Sequence, residues 1–480
     1  ALAPRNPGVE PWADLPDNHR RLAARLQEAF AAFLEHTDAQ VGRLVTALDD
    51  LGRLDNTLFV LLSDNGASQE GGPFGVMHEM KYFNFLVESP AEAVERIDDI
   101  GGPHSHCNYP WGWAQAGNTP FKWYKQNTHE GGVHVPLIVH WPDRVKDAGG
   151  LRDQFHHVND IAPTIYEALG VEPPPVYRGW EQLPVSGVSM HYTLDAPAED
   201  SRKTVQYYEM GGHRAIYADG WKAVTRHRPG VPFEDDRWEL YHLEEDRSEC
   251  HDLAAELPAQ LEELVEQWWR EAEEYGVLPL DDRTIELFST RYRDNSPHPE
   301  NRQYSYFPPM SPLPSQVGPS LGGRGWDMTA TIDRPDGAGG VLYASGTENS
   351  GVSLFIQDDR LVFDYNCFGD HHVGVSEQPV PIGPSAVGVR FRRSGQVGQA
   401  TLVVDGSDCG SLSVPFVMTM ISSVGPSVGY DHGSPVSERY RGHYPFEGQL
   451  TRLDVSLVRG GRAEDTAGDG AEERAAMARQ

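Results

Sequence analysis

The sequence predicts an α/β domain followed by an all-β sandwich, and three observations carry that prediction. Two short, nearly continuous apolar runs, TLFVLL and VPLIVHWP, alternate with stretches of helical periodicity in the first 284 residues. Apolar runs of this length bounded by turns are the pattern of strands buried on both faces of a sheet. Beyond residue 325 the apolar period becomes two and no helical stretch intervenes, which is the pattern of a β-sandwich. Between the two, residues 285–325 are dominated by Pro, Ser, Tyr and Gly and read as a surface linker.

Residues 18–53 read as a helix because Leu22, Leu26, Phe30, Phe33, Leu34, Val41, Leu44, Val45 and Leu48 recur at three- and four-residue steps, with Gly52 and Asp55-Asn56 ending it. The first apolar run follows and opens into a polar turn, as a buried central strand does at its C-terminal end. Residues 67–131 are irregular and rich in Gly, Pro and aromatic residues; a loop of that length is usually functional. After the second apolar run, residues 157–169 place Ile161, Ile165 and Leu169 on one helical face with Pro163 in the first turn. The segments TVQYYEM, HRAIYAD, WKAVTRH and WELYHL read as short antiparallel strands, and Leu253–Glu274 as an amphipathic helix with Leu257, Leu261, Leu264, Val265, Trp268 and Trp269 on its apolar side. In the last third, WDMTATID, GVLYAS, GVSLFIQD, RLVFDYN, VGVRFR, QATLVVDG and GQLTRLDVSL are strands separated by turns such as Asp358-Asp359 and Asp405-Gly406. Residues 461–480, rich in Gly, Ala, Glu and Arg, read as a disordered tail.

A chain of 480 residues with a formal net charge of −31 and 39% hydrophobic residues is a loop-rich globular protein with room for two or three cores. Its acidity argues against nucleic acid and anionic membranes as partners, and no apolar run is long enough to span a bilayer. The first residues, ALAPRNPGVEPW, lack a signal-peptide pattern and an initiator Met, so a processed or partial chain is expected. Compartment stays open. Cys107, Cys250, Cys367 and Cys409 are scattered and form no metal-type spacing.

Two constellations carry chemistry. Asp64-Asn65-Gly66 lies directly after the first apolar run, where open α/β sheets place ligands. Asp and Asn offer hard oxygen donors suited to calcium or magnesium, and Gly66 permits a tight turn; an ordinary polar turn is the competing reading. The second is NTPFKWYKQNTHEGGVHVPLIVHWP, residues 118–142, in which Lys125 and His129 stand four apart before a Gly-Gly pair. A lysine there can hold an anionic ester oxygen, and a solvated surface lysine is the plainer alternative. His104 and His106 belong to the long loop and are candidates to reach the same mouth. The aromatic residues Phe74, Tyr82, Phe83, Tyr109, Trp111, Trp113 and Trp123 fit either stacking on an aryl group or packing.

The ordered set LDNTLFVLLSDNGAS, AGNTPFKWYKQNTHEGG, PLIVHWP, HHVNDIAPTIYEALGV, YYEMGGHRAIYADGWKAVTRH and WELYHLEEDRSECHDLA resembles the later motifs of the arylsulfatase family. GYDHGSPVSERY and PFEGQLTRLDVSL resemble the accessory sandwich of its large bacterial members. The resemblance runs to about residue 460, and each motif is weak where the ordered set is specific.

It implies an alkaline-phosphatase-like α/β fold over 1–284, with 204–284 its antiparallel subdomain and helix, and a laminin-G- or lectin-like sandwich over 326–457. It further implies that Asp64 and Asn65 ligate one Ca2+ or Mg2+, that Lys125 binds the sulfate group, and that His129 assists in substrate binding. The substrate implied is a sulfate ester, a small molecule or a glycan. The family nucleophile is a formylglycine made from Cys or Ser in a Cys/Ser-X-Pro-X-Arg motif, and this sequence contains no such motif. The nucleophile and the remaining metal ligands are therefore expected upstream, in an N-terminal half that would also be a partner for this chain. The chain alone is expected to be inactive, to bind metal weakly, and to leave a sheet edge and apolar residues uncovered. A non-catalytic glycan-binding or structural remnant, and a phosphonate or phosphodiester hydrolase of the same superfamily, stay open as alternatives.

Overall fold

The computed structural model describes residues 2–84, 86–282, 303–319 and 321–458. The expected tail at 461–480 and the first part of the expected linker lie outside them. The chain forms two compact units: one takes the residues up to Pro11, Ala31–Gln69 and Trp111–Asp282, the other Trp12–Phe30, Glu70–Pro110 and the described residues from 303 onward. The two units therefore interleave along the sequence.

In the first unit, the C-terminal part of helix α1 (Asp17–Asp50) leads into strand β1 (Phe59–Leu62), which pairs antiparallel with β2 (Leu137–His140), Phe59 opposite His140. Helix α2 (Glu130–Val133) precedes β2; α3 (Ile161–Leu169) and the two-residue strands β3 (Val176–Tyr177) and β4 (Trp180–Glu181) follow it. The expectation of buried central strands is corrected here. Leu61, Leu62, Leu137 and Ile138 are exposed, because among the described residues the ribbon has two strands and nothing covers its faces. Uncovered apolar residues, by contrast, are what the sequence led us to expect.

Strands β5 (Val205–Met210), β6 (His213–Ala218), β7 (Trp221–Thr225) and β8 (Trp238–His242) form the antiparallel sheet read from the sequence, in simple up-and-down order. Helix α4 (Pro258–Glu274) buries Leu264 and Trp268 against Ile216, Ala223 and Leu240. It starts five residues later than its apolar pattern does. Pro258 occupies its first turn, where a missing N–H costs nothing, and Leu253 is used instead to bond the Leu240 carbonyl (2.9 Å).

The second unit contains the sandwich. One sheet has six strands, in the order Ser407–Val414, Val397–Val404, Gly383–Ser394, Trp326–Arg334, Gln449–Leu457 and Gln303–Tyr306. The other has five, Asp370–Val375, Arg360–Cys367, Ser350–Gln357, Gly340–Thr347 and Pro426–Val428. Trp326, Phe363, Tyr365 and Phe391 are buried in the core, with Trp326 and Phe391 stacked at 5.2 Å. The turn residues Asp358, Asp359, Asp405 and Gly406 all hold positive φ, the conformation that closes two-residue hairpins. Gln303–Tyr306, inside the expected linker, pairs with Gln449–Leu457 as an edge strand, so the sandwich begins earlier than the change in period suggests. In the same unit Asn84 is buried, accepting from the Thr419 and Met420 amides. Among the described residues no helix is long and apolar enough to cross a membrane.

Candidate functional site

The site lies in the first unit, where the turn after β1 meets the loop before α2. One backbone close approach welds them, and two more fold the loop onto α2. A Cβ on Gly66 would stand 1.8 Å from the Gly131 carbonyl oxygen, one on Gly131 would stand 2.1 Å from that of Trp123, and one on Gly132 would stand 1.9 Å from that of Asn127. Only glycine fits these places, so the EGG sequence is a packing device for the turn. The Gly66 amide donates to the Gly132 carbonyl (3.0 Å) and the Lys125 amide to the Ala67 carbonyl (3.1 Å). Asn118 bridges the two segments: its Oδ1 accepts from the Ala67 amide (3.0 Å), and its Nδ2 donates to the carbonyls of Gly131 (2.7 Å) and Trp123 (3.1 Å). Asp64 and Asn65 are thus held on one side of the weld, and Lys125 on the other.

Asp64 is exposed, while Asn65 and Lys125 are half-buried. The Asn65 Nδ2 donates to the Gly66 carbonyl (2.9 Å), which leaves its Oδ1 as the atom available to a cation. A carboxylate and an amide oxygen fit calcium or magnesium in kind, and they supply two donors of the six to eight that calcium takes. Among the described residues no group of three or more His, Cys, Asp and Glu is arranged to hold a metal ion.

His129 is fully buried and its Nε2 contacts Glu239 Oε2 at 3.1 Å. Burial lowers its pKa, outweighing the nearby carboxylates, and because a carboxylate can only accept, Nε2 is the donor in this contact. It faces the antiparallel sheet. His104 and His106 are exposed in the second unit, His106 beside Glu79 at 3.3 Å. Trp123 and Tyr109 are buried, in keeping with packing for these two aromatic residues of the long loop.

The sequence reading passed over the groups that brace the Lys125 loop. Lys122 Nζ reaches Glu239 (2.9 Å) and Tyr241 (3.0 Å). The Arg226 guanidinium lies 3.7 Å over the Trp123 ring and donates to Asn127 Oδ1 (3.1 Å). Glu130 accepts from the buried Lys222 (2.6 Å) and from His134 (2.7 Å), while its amide donates to Glu249 (2.8 Å). Burial opposes ionisation of Glu130, yet the Lys222 and His134 contacts prevail and hold its pKa down to about 2. One signal was available: Lys222 interrupts the otherwise apolar strand segment WKAV, and a buried charge needs a partner.

Two family models match this part of the chain: one described as Sulfatase over residues 12–171, and one described as N-sulphoglucosamine sulphohydrolase, C-terminal, over 120–275. An uncharacterised sulfatase of Schizosaccharomyces pombe is 31% identical over 290 residues, covering 57% of this chain and 48% of that one. The arylsulfatase of Klebsiella aerogenes is 29% identical over 180 residues, 37% of each chain. Among solved structures, Ps i-CgsB in complex with k-i-k-neocarrahexaose shares 22% identity and a TM-score of 0.37, over 59% of this chain and 51% of that one. The chain therefore spans half or less of the length of these two curated relatives.

Proposed function

We propose, from the premise that residues 12–275 belong to the sulfatase family of the alkaline-phosphatase-like superfamily, that the Asp64–Lys125 weld is one side of a sulfate-ester hydrolase site. The observation that carries this reading is the glycine contact between Gly66 and Gly131, which brings an oxygen-donor pair and a lysine to one loop edge. Asp64 and Asn65 would hold one divalent cation, calcium or magnesium. Bound there, such an ion supplies Lewis-acid withdrawal of charge from sulfate oxygens. Lys125 gives a point charge and N–H donors to the same anionic group, favouring the more charged transition state. His129 acts from behind the loop rather than on the ester. A sulfated sugar fits the second family match as well as an aryl sulfate fits the notion of a simple ester; both are tested.

Titration of the chain with calcium, followed by 4-nitrocatechol sulfate or N-sulfoglucosamine, checks the reading by calorimetry. Calcium is expected to bind weakly and to strengthen sulfate binding. Asp64→Asn should remove the calcium dependence and Lys125→Ala the sulfate binding. Unchanged binding in both variants would overturn the assignment.

A further inference from the structure

Resting on that reading of Lys125, we infer that Glu239 is a positioning residue, a single half-buried carboxylate on β8 that fixes both ends of the lysine loop. Three donors converge on its Oε2: Lys122 Nζ at 2.9 Å, His129 Nε2 at 3.1 Å and the Tyr241 hydroxyl at 2.6 Å. Lys122 and His129 begin and end the segment that contains Lys125.

The segment between them needs such a clamp. Trp123 and Gln126, on either side of Lys125, hold φ of +66° and +71°, which L-residues with large side chains adopt only where the surroundings compel them. Released from its ends, the loop would hold to the turn only through the Lys125 amide on Ala67 and the Asn118 bridge, and the Lys125 side chain would lose its fixed position. Arg226 presses on Trp123 and ties Asn127, inside the two ends, but reaches neither Lys122 nor His129.

The charge arrangement favours the same role. Glu239 supplies one negative charge against the one positive charge of Lys122, and burial disfavours a second positive charge on His129, so the clamp places no excess negative charge beside the lysine that would meet sulfate. Burial works against ionised Glu239, but the bonds from His129 and Tyr241 and the Lys122 charge outweigh it and keep the carboxyl well below its ordinary range. A glutamine in its place keeps the size, loses the charge and presents at most one strong acceptor to three donors.

The test is a double-mutant cycle on the whole chain with inorganic sulfate as the probe, together with the NMR signal of 13C-methylated Lys125. Glu239→Gln is expected to weaken sulfate binding roughly tenfold, as misplacement of a binding group does. It should also shift the Lys125 methyl signal. Combined with Lys125→Ala, it should add nothing further, because both changes remove the same interaction. Glu239→Asp, too short to meet both loop ends, should not restore binding. Fully additive losses with an unmoved Lys125 signal would mean that Glu239 only stabilises the sheet, and would overturn the inference. If Lys125→Ala leaves sulfate binding intact, the site reading fails, while the Lys125 signal in Glu239→Gln still reports whether the clamp positions the loop. Should Glu239→Gln not fold, Lys122→Met removes one donor with the stem kept, and the same pair of readouts decides.

Discussion

The sandwich and the β1–β2 region are equally apolar in sequence and differ in what they bury. In the sandwich, alternating residues from two sheets meet and enclose Trp326, Phe363, Tyr365 and Phe391. In the first unit, residues 31–69 and 133–189 bury no large apolar side chain at all among the described residues. Ile138 is 56% exposed, Leu169 69% and Trp180 77%. The difference teaches that an apolar period states that a face needs covering but does not state what covers it. Where the covering residues lie in the same sheet pair, the pattern and the fold agree; around β1 they do not.

The largest expected effect sharpens this contrast directly. Trp326→Ala should cost about 3–5 kcal/mol, the range for removing a large buried aromatic side chain. Ile138→Ala, in the exposed ribbon, should stay within about 0.5 kcal/mol. Urea unfolding followed separately by tryptophan fluorescence and by hydrogen exchange in each region measures both. A cost above about 2 kcal/mol for Ile138→Ala would show that the ribbon is covered in solution, and the contrast would disappear.

Next in size is Gly66→Ala. Its Cβ would meet the Gly131 carbonyl oxygen at 1.8 Å, and that atom belongs to backbone that cannot swing away. A cost of about 1–3 kcal/mol is expected, as for overpacking elsewhere. The weld is the point where the poorly covered region is locally rigid, so calcium and sulfate binding should both fall. Gly42→Ala, where no atom lies within 4 Å and φ is not positive, is the control without crowding.

Much of the fold was legible because its signals are local. Period-two strands with Asp-Asp and Asp-Gly turns gave the sandwich, and the Leu257-to-Trp269 stripe gave α4. The turn Asp64-Asn65-Gly66 and the lysine before EGG were legible as motifs. What could not be read is whatever depends on distant residues meeting. The Glu239 carboxylate meets Lys122 and His129 across more than a hundred positions, and nothing in WELYHL distinguishes that glutamate from a solvated one. The same holds for Gln303–Tyr306, whose strand character is conferred by pairing with Gln449–Leu457 inside a stretch composed like a linker.

Acid should separate the regions a second time, and with opposite signs. Burial lowers the pKa of His129, and burial with the Arg226 charge takes that of His213 to about 4 from the ordinary 6.5. For groups depressed on folding, the stabilisation is present above the unfolded value and is lost as pH falls through the folded one. The β5–β8 sheet should therefore weaken from about pH 6.5 towards 4. His371 in the sandwich is raised by its bond to Asp364, with Glu438 and Asp370 nearby. Its contribution is complete below the unfolded value and is lost as pH rises through the folded one. Hydrogen exchange at pH 5 and pH 7.5 should show protection falling at low pH in β6 and β7, and holding or rising in Arg360–Cys367 and Asp370–Val375. The reading must be local, because His78, elsewhere in the second unit, is lowered to about 4 and acts in the opposite direction.

The smallest effect on stability is the most telling about the ribbon. Ile138→Lys, Leu169→Lys and Trp180→Lys each place a charge where the side chain is already in water, so each should change unfolding by no more than about 0.5 kcal/mol. Their effect should appear instead in association. Exposed apolar faces and open strand edges attract other apolar surface, and a lysine on an edge opposes that pairing. Binding of a hydrophobic dye and the sedimentation-derived mass should both fall in the triple variant, while the sandwich unfolds as before. If dye binding is already absent from the unaltered chain, those faces are covered in solution, and the two regions differ only in which residues do the covering.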